Sequence, residues 1–318
     1  MGAAAVVTAP GRVEIRRMAR GEPGVGEVEV RVEGCGVCGS NVPVWEGRPW
    51  FGYPLRAGNP GHEGWGEVVR VGAGVSDVRV GQRVAFLSDT SFAEYDTVEA
   101  GCVVPLPEAL DGLPFPGEAF GCAVNVMRRA AVRAGDLVAV VGVGFLGAVV
   151  AHAAARAGAR VVALSRRPCA LEVAEAMGAR ATVRITDEGE VATRVTELCD
   201  GELCDVVVEA TGSQRGLDLA TDLVRVRGRL VVAGYHQDGH RQVNMQLWNW
   251  RGIDVVNAHE RDRSEYVRGM REAAREVAEG RLDVGPLLTH LFPLGRLGDA
   301  LRMASTRPPG FLKALVMP

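Results

Sequence analysis

The sequence predicts an α/β protein made of a β-rich domain and a second domain with a doubly wound parallel sheet. Three observations support this fold class. The chain has 318 residues, which is too long for one ordinary hydrophobic core. Its first 115 residues contain alternating or β-branched segments separated by glycines. From about residue 124 onward, strand-like and helix-like segments alternate, as they do in βαβ units.

The individual elements follow from hydrophobic periodicity, taken in chain order. Strands are predicted at residues 27–34, 66–72 and 81–87 of the β-rich part. In the α/β part, strands are predicted at 136–142, 160–165, 205–212 and 228–234, and helices at 145–159, 169–179 and near 214–224. An amphipathic helix is predicted over 264–279, followed by short strands and one helix. The predicted domains are therefore 1–123 with 259–318, and 124–258.

Charge and cysteine usage exclude several classes of partner. The net charge is −3 and no basic block is present, so no nucleic-acid partner is expected. Seven scattered cysteines without a signal-peptide pattern predict a cytoplasmic protein with reduced thiols. Residues 137–155 contain no charge and are long enough to suggest a membrane span, but their glycines favour a strand, a turn and a helix. No membrane partner is expected.

A glycine motif joins the first predicted strand and helix of the α/β part. Gly142, Gly144 and Gly147 form a G-x-G-x-x-G with Phe145 and Leu146 inside it. Such a motif provides a tight turn, close approach of the backbone to a pyrophosphate, and close packing of helix against strand. The pyrophosphate then lies at the positive N-terminus of the helix. This position predicts a Rossmann dinucleotide-binding domain.

The residues after the second strand of that domain predict the type of cofactor. Ser165 occupies the position where NAD-binding units usually carry an acidic residue, and Arg166 and Arg167 follow it. A carboxylate would repel a 2′-phosphate, whereas a hydroxyl and guanidinium groups would bind it. The alternative is that both arginines belong to a solvated loop. We expect NADP(H) to be favoured over NAD(H).

Cys35 and Cys38 form a C-x-x-C whose role is open from the spacing alone. The pair could be a redox couple, half of a zinc ribbon, a disulfide, or one metal ligand beside a bystander. A zinc ribbon needs a second C-x-x-C, which the sequence lacks. His62 and Glu63 follow 24 and 25 residues after Cys38, in the segment GHEGWGEVVRVGAGV.

This segment resembles the signature of the zinc-containing alcohol dehydrogenases of the medium-chain dehydrogenase/reductase superfamily. Further segments resemble landmarks of that family in the same order along the chain, namely GVCGS (36–40), FAEY (92–95), EAFGC (118–122), DVVVEATG (205–212) and FLKALVMP (311–318). The resemblance implies a GroES-like catalytic domain and a Rossmann cofactor domain. It also implies hydride transfer between the nicotinamide cofactor, expected above to be NADP(H), and a polar secondary alcohol or ketone such as a polyol, a sugar or a biosynthetic intermediate.

The resemblance further implies one catalytic zinc ion, held by Cys38 and His62. Cys122 is the favoured third ligand, Glu63 is the next, and Glu118 is an alternative that polyol-type members suggest. A catalytic zinc site keeps one position open for substrate. Cys35 is then expected to be a small buried residue. Residues 84–92 leave no room for the structural-zinc lobe that many relatives carry, so one ion per chain is expected.

The remaining site residues are also assigned by resemblance. Ser40 matches a hydroxyl that relays the proton of the alcohol, and Thr211 falls in the cofactor site. Asn41 replaces the usual aspartate that accepts a hydrogen bond from the histidine ligand, and we expect its amide oxygen to accept that bond instead. Pro43 replaces the histidine that ends the proton relay in many relatives. We expect a homodimer or homotetramer, because relatives associate through the cofactor domain.

Two other functions compete with this interpretation. One is a zinc-free enoyl or quinone reductase of the same superfamily, against which the Cys38/His62 pair argues. The other is a non-catalytic NADP(H)-binding protein, which predicts cofactor binding without turnover.

Overall fold

The computed structural model describes residues 1–186 and 188–318, and at 188 and 189 it describes the backbone alone. Its contacts group the chain into two compact units. The first comprises Met1–Gly121 and Arg261–Pro318, and the second comprises Cys122–Glu260.

Strands and helices follow one another in three groups along the chain. The N-terminal elements are β1 (Gly2–Ala9), β2 (Arg12–Met18), β3 (Glu27–Val37), α1 (Asn41–Glu46), β4 (Glu63–Val71), β5 (Arg83–Phe86), β6 (Tyr95–Glu99), β7 (Val103–Pro105) and α2 (Gly117–Ala130). The central elements are β8 (Leu137–Val141), α3 (Phe145–Arg156), β9 (Arg160–Ser165), α4 (Pro168–Ala176), β10 (Ala181–Arg184), α5 (Glu188–Leu198), β11 (Cys204–Glu209), α6 (Gln214–Leu223), β12 (Val224–Val232), α7 (Met245–Arg251) and β13 (Asp254–Asn257). The C-terminal elements are α8 (Arg263–Ala278), β14 (His290–Pro293), α9 (Leu297–Thr306) and β15 (Ala314–Met317).

The first unit is built on a mainly antiparallel sheet with the strand order β14-β15-β3-β4-β5-β7, in which β6 also pairs with β3. In the long strand β3 the valines are buried, whereas Glu27, Arg31 and Glu33 are more exposed, as expected for a sheet with one face in the core. Gly36 on β3 lies opposite Glu63 on β4, and Val37 lies opposite Ala314 on β15. This register places the residues after β3, before β4 and before β15 at one end of the sheet.

A buried ion cluster joins β3 to β4 at the other end of this sheet. Glu29 is 1% exposed, and its carboxylate accepts hydrogen bonds from Arg20 and Arg70 at 2.6–3.0 Å. Burial raises the pKa of Glu29, but the two guanidinium groups outweigh it and lower the pKa to about 2. The carboxylate is therefore ionised throughout the neutral range.

The second unit contains a parallel sheet with the order β10-β9-β8-β11-β12-β13. This is the 3-2-1-4-5-6 order of a doubly wound dinucleotide-binding fold, whose topology reverses between β8 and β11. Every residue of β8 is buried because helices cover both faces of such a sheet. The predicted α/β fold is thus confirmed.

The uncharged stretch 137–155 forms β8, the glycine turn and most of α3. Within residues 1–186 and 188–318, no helix combines the length and the apolar character needed to cross a bilayer.

Candidate metal and cofactor site

Cys38, His62 and Glu63 lie together at one end of the first unit's sheet. Cys38 follows β3 directly, and His62 immediately precedes Glu63, the first residue of β4. One ligand atom from each of the three side chains lies within 4.8 Å of the other two. Ser40 is also at this cluster, with its Oγ 3.4 Å from His62 Nε2. Sulfur, imidazole nitrogen and carboxylate oxygen are the donor types that zinc takes in proteins.

The ring of His62 is oriented by a backbone carbonyl. His62 Nδ1 lies 2.9 Å from the carbonyl oxygen of Pro60. Because a carbonyl only accepts, Nδ1 carries a proton, and Nε2 is the nitrogen that faces the cluster. Burial lowers the pKa of His62, but the hydrogen bond with Cys38 and the negative charges of Cys38, Glu118 and Glu63 outweigh it and raise the pKa to about 10. The surroundings therefore stabilise a positive charge at this point.

Glu63 forms a buried ion pair with Lys313, the only lysine of the chain. Lys313 Nζ lies 2.6 Å from Oε1 and 2.5 Å from Oε2, and the two side chains are 4% and 1% exposed. Burial lowers the pKa of Lys313, but the charges of Glu63 and Cys38 raise it above its usual value. Glu63 Oε2 is close to the ammonium but accepts no well-aligned hydrogen bond. A buried carboxylate oxygen with spare acceptor capacity, beside a sulfur and an imidazole, fits a metal ion.

Gly36 leaves the space in which this ion pair lies. It sits on β3, between the strand that carries Glu63 and the strand that follows Lys313. A Cβ at residue 36 would overlap Glu63 Oε2 and would lie 3.0 Å from Lys313 Cε. The absence of a side chain on β3 therefore allows a residue near the C-terminus to contact the start of β4.

The expectation for Asn41 is wrong in its choice of partner. The side chain of Asn41 is 1% exposed. Its Oδ1 accepts a hydrogen bond from the backbone N–H of Cys38 at 2.9 Å, and its Nδ2 donates to the carbonyl of Pro60 at 3.0 Å. His62 donates to that same carbonyl. The amide oxygen of Asn41 already accepts from Cys38, so the hydrogen bond from His62 goes to the carbonyl of Pro60 and not to Asn41.

The other predicted metal ligands lie on α2. Glu118 is in its first turn and Cys122 is four residues later, so both are on one face of the helix. The charge of Glu118 acts on His62 and on Lys313, which places this carboxylate in their neighbourhood. Among the described residues, the three-donor cluster is made by Cys38, His62 and Glu63 and includes neither Glu118 nor Cys122.

Cys35 lies on β3 within the hydrophobic core and is 1% exposed. Its thiol lies 3.4 Å from the carbonyl oxygen of Gly36, and burial raises its pKa well above the usual value. A thiol in such surroundings stays protonated and packs as a small apolar group. The seven cysteines all fall within the described residues, and none of them forms a disulfide.

The glycine motif follows β8 directly and runs into the first turn of α3, as predicted. Gly142 has φ +99°, and a Cβ there would approach the backbone and methyl group of Thr211 on the neighbouring strand end. A Cβ on Gly147 would collide with the carbonyl of Gly142. At Gly144, the residue that caps α3, a Cβ would meet open space. This open approach to the N-terminus of α3 fits the cradle that a pyrophosphate requires.

Ser165, Arg166 and Arg167 differ in their availability to a ligand. Ser165 is buried, and its Oγ accepts a hydrogen bond from the backbone N–H of Arg167 at 3.2 Å. Arg167 folds over the glycine turn, and its Nη2 donates to the carbonyl of Val143 at 3.1 Å. The side chain of Arg166 is exposed.

A network that the sequence did not predict lies at the ends of β11 and β12. Glu209 has no solvent exposure, and Oε1 accepts from the backbone N–H and hydroxyl of Thr211. Its Oε2 lies 2.9 Å from His236 Nε2, and His236 Nδ1 accepts from Arg241 Nε at 2.7 Å. Since Arg241 can only donate, Nδ1 of His236 is the acceptor, and Nε2 is the nitrogen that donates to Glu209. Thr211 therefore anchors this network beside the glycine turn. The sequence did carry one signal for the network, because Glu209 is an ionisable residue at the end of a run of buried valines.

Comparisons with known proteins agree with this architecture. Residues 24–108 match the family model of the alcohol dehydrogenase GroES-like domain, and residues 145–275 match that of zinc-binding dehydrogenases. The chain is 25% identical to L-galactonate-5-dehydrogenase of Escherichia coli K12, over 87% of each chain. It is 28% identical to sorbitol dehydrogenase of Gallus gallus, over 93% of this chain and 91% of the relative.

Among solved structures, 2R,3R-butanediol dehydrogenase of Bacillus subtilis superposes with a TM-score of 0.86 over the full length of both chains, at 24% identity. The relatives that match over most of their length are dehydrogenases, so small-molecule alcohols are the expected class of substrate. The chain belongs to the medium-chain dehydrogenase/reductase superfamily, among its oxidoreductases of the alcohol dehydrogenase type.

Proposed function

We propose that this protein is a zinc-dependent oxidoreductase that transfers hydride between NADP(H) and a polyhydroxylated secondary alcohol or its ketone. The observation that carries the proposal is the convergence of Cys38, His62 and Glu63 within 4.8 Å. The buried, incompletely hydrogen-bonded oxygen of Glu63 supports it. In this proposal residues 124–258 bind the cofactor, and residues 1–123 with 259–318 carry the metal.

Cys38 and His62 are the proposed ligands of a single zinc ion. Glu63 is a third donor by proximity, although Lys313 competes for its carboxylate. Cys122 and Glu118 are the other third ligands to be tested. Zinc content should fall strongly in Cys38→Ala. The zinc affinities of the single variants Glu63→Gln, Cys122→Ser and Glu118→Gln are then compared with that of the wild type. The variant with the largest loss of zinc affinity identifies the third ligand.

The chemistry divides between the bound groups and the side chains of the chain. Zinc held by Cys38 and His62 would polarise the substrate oxygen, and a nicotinamide bound by residues 124–258 would supply or accept the hydride. Ser40, whose hydroxyl lies 3.4 Å from His62 Nε2, takes the proton from the alcohol or returns it to the ketone. Pro43 is buried in α1 and has no titratable group, so the proton leaves Ser40 by a route that does not use residue 43.

The preference for NADP(H) rests on charge at the end of β9. Ser165 adds no negative charge there, and Arg166 is exposed and can pair with a 2′-phosphate. Arg167, whose Nη2 donates to the carbonyl of Val143, supplies a second guanidinium at the same strand end. The expected result is a higher kcat/KM with NADPH than with NADH. Equal or higher kcat/KM with NADH would contradict this part of the proposal.

The substrate class and the assembly are the remaining parts. Relatives named for galactonate and sorbitol support a polyol or sugar-derived substrate. A homodimer or homotetramer is supported by the outermost strand β13, whose Val255 is 41% exposed, and by Trp250 on α7, which is 86% exposed. Light scattering after size-exclusion chromatography tests the assembly, and a monomer would contradict it.

The main experiment combines metal analysis with a cofactor-consumption screen. The purified protein should contain one zinc ion per chain and should consume NADPH with ketones or aldehydes. Cys38→Ala should lose both properties. Cys35→Ala, a matched change at a buried cysteine outside the cluster, should keep both. Turnover of enones by zinc-free protein would favour a reductase of the zinc-free type. Cofactor binding without zinc or turnover would favour a non-catalytic protein.

A further inference from the structure

We propose that Asn41 is a positioning residue that fastens the Cys38 segment to the His62 segment, and that this chain requires an amide rather than a carboxylate at that position. The inference rests on the proposed function only in taking zinc as the ion. Asn41 is 1% exposed, and it contacts the backbone on both sides of the cluster.

On the first side, Asn41 closes the turn that presents Cys38. The backbone N–H of Asn41 donates to the carbonyl of Cys38 at 3.0 Å. In the opposite direction, the N–H of Cys38 donates to Asn41 Oδ1 at 2.9 Å. Ser40, the residue that precedes α1, makes no capping hydrogen bond with its side chain. The position of the Cys38 sulfur therefore depends on a ring closed by the Asn41 amide.

On the second side, Asn41 sets the carbonyl that orients His62. The oxygen of Pro60 accepts from Asn41 Nδ2 at 3.0 Å and from His62 Nδ1 at 2.9 Å. A carbonyl oxygen has two lone pairs, so both are used. Loss of the Nδ2 donor would free the Pro60 peptide to rotate, and the imidazole would rotate with it. Asn41 thus acts on one proposed ligand through its backbone and on the other through a shared acceptor.

An ionised aspartate at residue 41 could not make both contacts, because a carboxylate only accepts hydrogen bonds. One carboxylate oxygen could still accept from the N–H of Cys38. The other would face the carbonyl oxygen of Pro60 as acceptor against acceptor, in a place that excludes water. The carboxylate would then have to turn toward His62 or away from the Pro60 carbonyl, and either movement separates the two segments. The two hydrogen bonds that the Pro60 carbonyl accepts therefore require an amide at residue 41.

The test compares Asn41→Asp and Asn41→Ala with the wild type. Asn125→Asp is the matched control, because Asn125 is also buried and lies on α2, and its Nδ2 has no hydrogen-bond partner within the described part of the chain. The zinc dissociation constant is measured by competition with a chromophoric chelator. Absorption spectra of the cobalt-substituted proteins report the geometry of the thiolate and imidazole ligands.

We expect both Asn41 variants to bind zinc about 10–100-fold more weakly, the range found when outer hydrogen bonds to metal ligands are removed. Their cobalt spectra should change, whereas Asn125→Asp should keep the wild-type affinity and spectrum. Asn41→Asp with wild-type affinity and an unchanged spectrum would overturn the inference. If this variant does not fold, Asn41→Ala decides, because it removes both hydrogen bonds without adding a charge.

Failure of the wild type to bind zinc would instead contradict the proposed function. The inference would then be judged on the metal-free proteins. Asn41→Asp should unfold at a lower temperature than Asn125→Asp, and equal unfolding temperatures would refute the link between the two segments.

Discussion

Replacing Lys313 by methionine should lower the free energy of unfolding of the metal-free protein by about 3–5 kcal/mol, the usual effect of breaking a buried ion pair. Methionine has nearly the same length but no charge. The carboxylate of Glu63 would remain 1% exposed, and the charged hydrogen-bond donor Lys313 would be gone. A buried unpaired carboxylate is strongly unfavourable, whereas the loss of an exposed pair would have little effect.

The size of the effect can be converted to an unfolding temperature. The ion pair belongs to the first unit, which has about 180 residues. For a unit of this size, each kcal/mol shifts the midpoint by about 2–4 °C, so the midpoint should fall by about 10 °C. The measurement is thermal unfolding of EDTA-treated protein, followed by circular dichroism.

A double-mutant cycle separates the ion pair from packing around it. Glu63→Met should also destabilise, because it leaves the ammonium of Lys313 buried without a counter-charge. The double variant Lys313→Met/Glu63→Met should regain most of the loss, since neither charge remains. If Lys313→Met lies within about 1 kcal/mol of the wild type, or if the two single effects simply add, the reasoning fails.

Three further outcomes are expected. Glu29→Gln should remove about 3 kcal/mol at pH 7, because the carboxylate has a pKa of about 2 when folded and about 4.5 when unfolded. That contribution is present above pH 4.5 and lost as the pH falls toward 2, so urea-unfolding curves of the wild type and the variant should converge in acid, and a constant difference would contradict an electrostatic cause. Ser40→Ala should lower kcat by about 10²–10⁴-fold with unchanged zinc content, and steady-state rates equal to those of the wild type would remove Ser40 from the proton path. Ser165→Asp combined with Arg166→Ser should shift the ratio of kcat/KM values toward NADH by at least about tenfold, and an unchanged ratio would show that these residues do not read the 2′-phosphate.

Local patterns predict much of the fold. The strand predicted at 160–165 matches β9 residue for residue, and the helix predicted over 264–279 differs from α8 by one residue at each end. Alternating or continuous apolar runs are strong signals for such elements. Helix α2 is not predicted, because its sequence GEAFGCAVNVMRRA contains two glycines, which weaken a helical pattern. Helix α1 is also missed, since Pro43 weakens a helical pattern although the first turn tolerates proline.

The candidate site, like the fold, is predicted only in part by the sequence. A family motif links Cys38 and His62 in the sequence, and the structure places both in one cluster. No sequence pattern indicates the pairing between Glu63 and Lys313, which are 250 residues apart and meet only through the register of β15, β3 and β4. The partners of Asn41 are equally inaccessible to sequence reasoning, because they depend on which lone pairs the backbone leaves open.

Because the chain has a single lysine and that lysine is buried, its chemical modification reports local opening of the structure. Reagents that acylate primary amines have one side-chain target in this chain, Lys313, and in the folded state that target is 4% exposed. The terminal amine can react in the folded protein. A second acylation, at Lys313, therefore requires the segment before β15 to detach from β3. At reagent concentrations where acylation outpaces reclosing, intact-mass measurements over time would give the rate of that detachment. Added zinc should slow it if the ion holds the same end of the sheet closed.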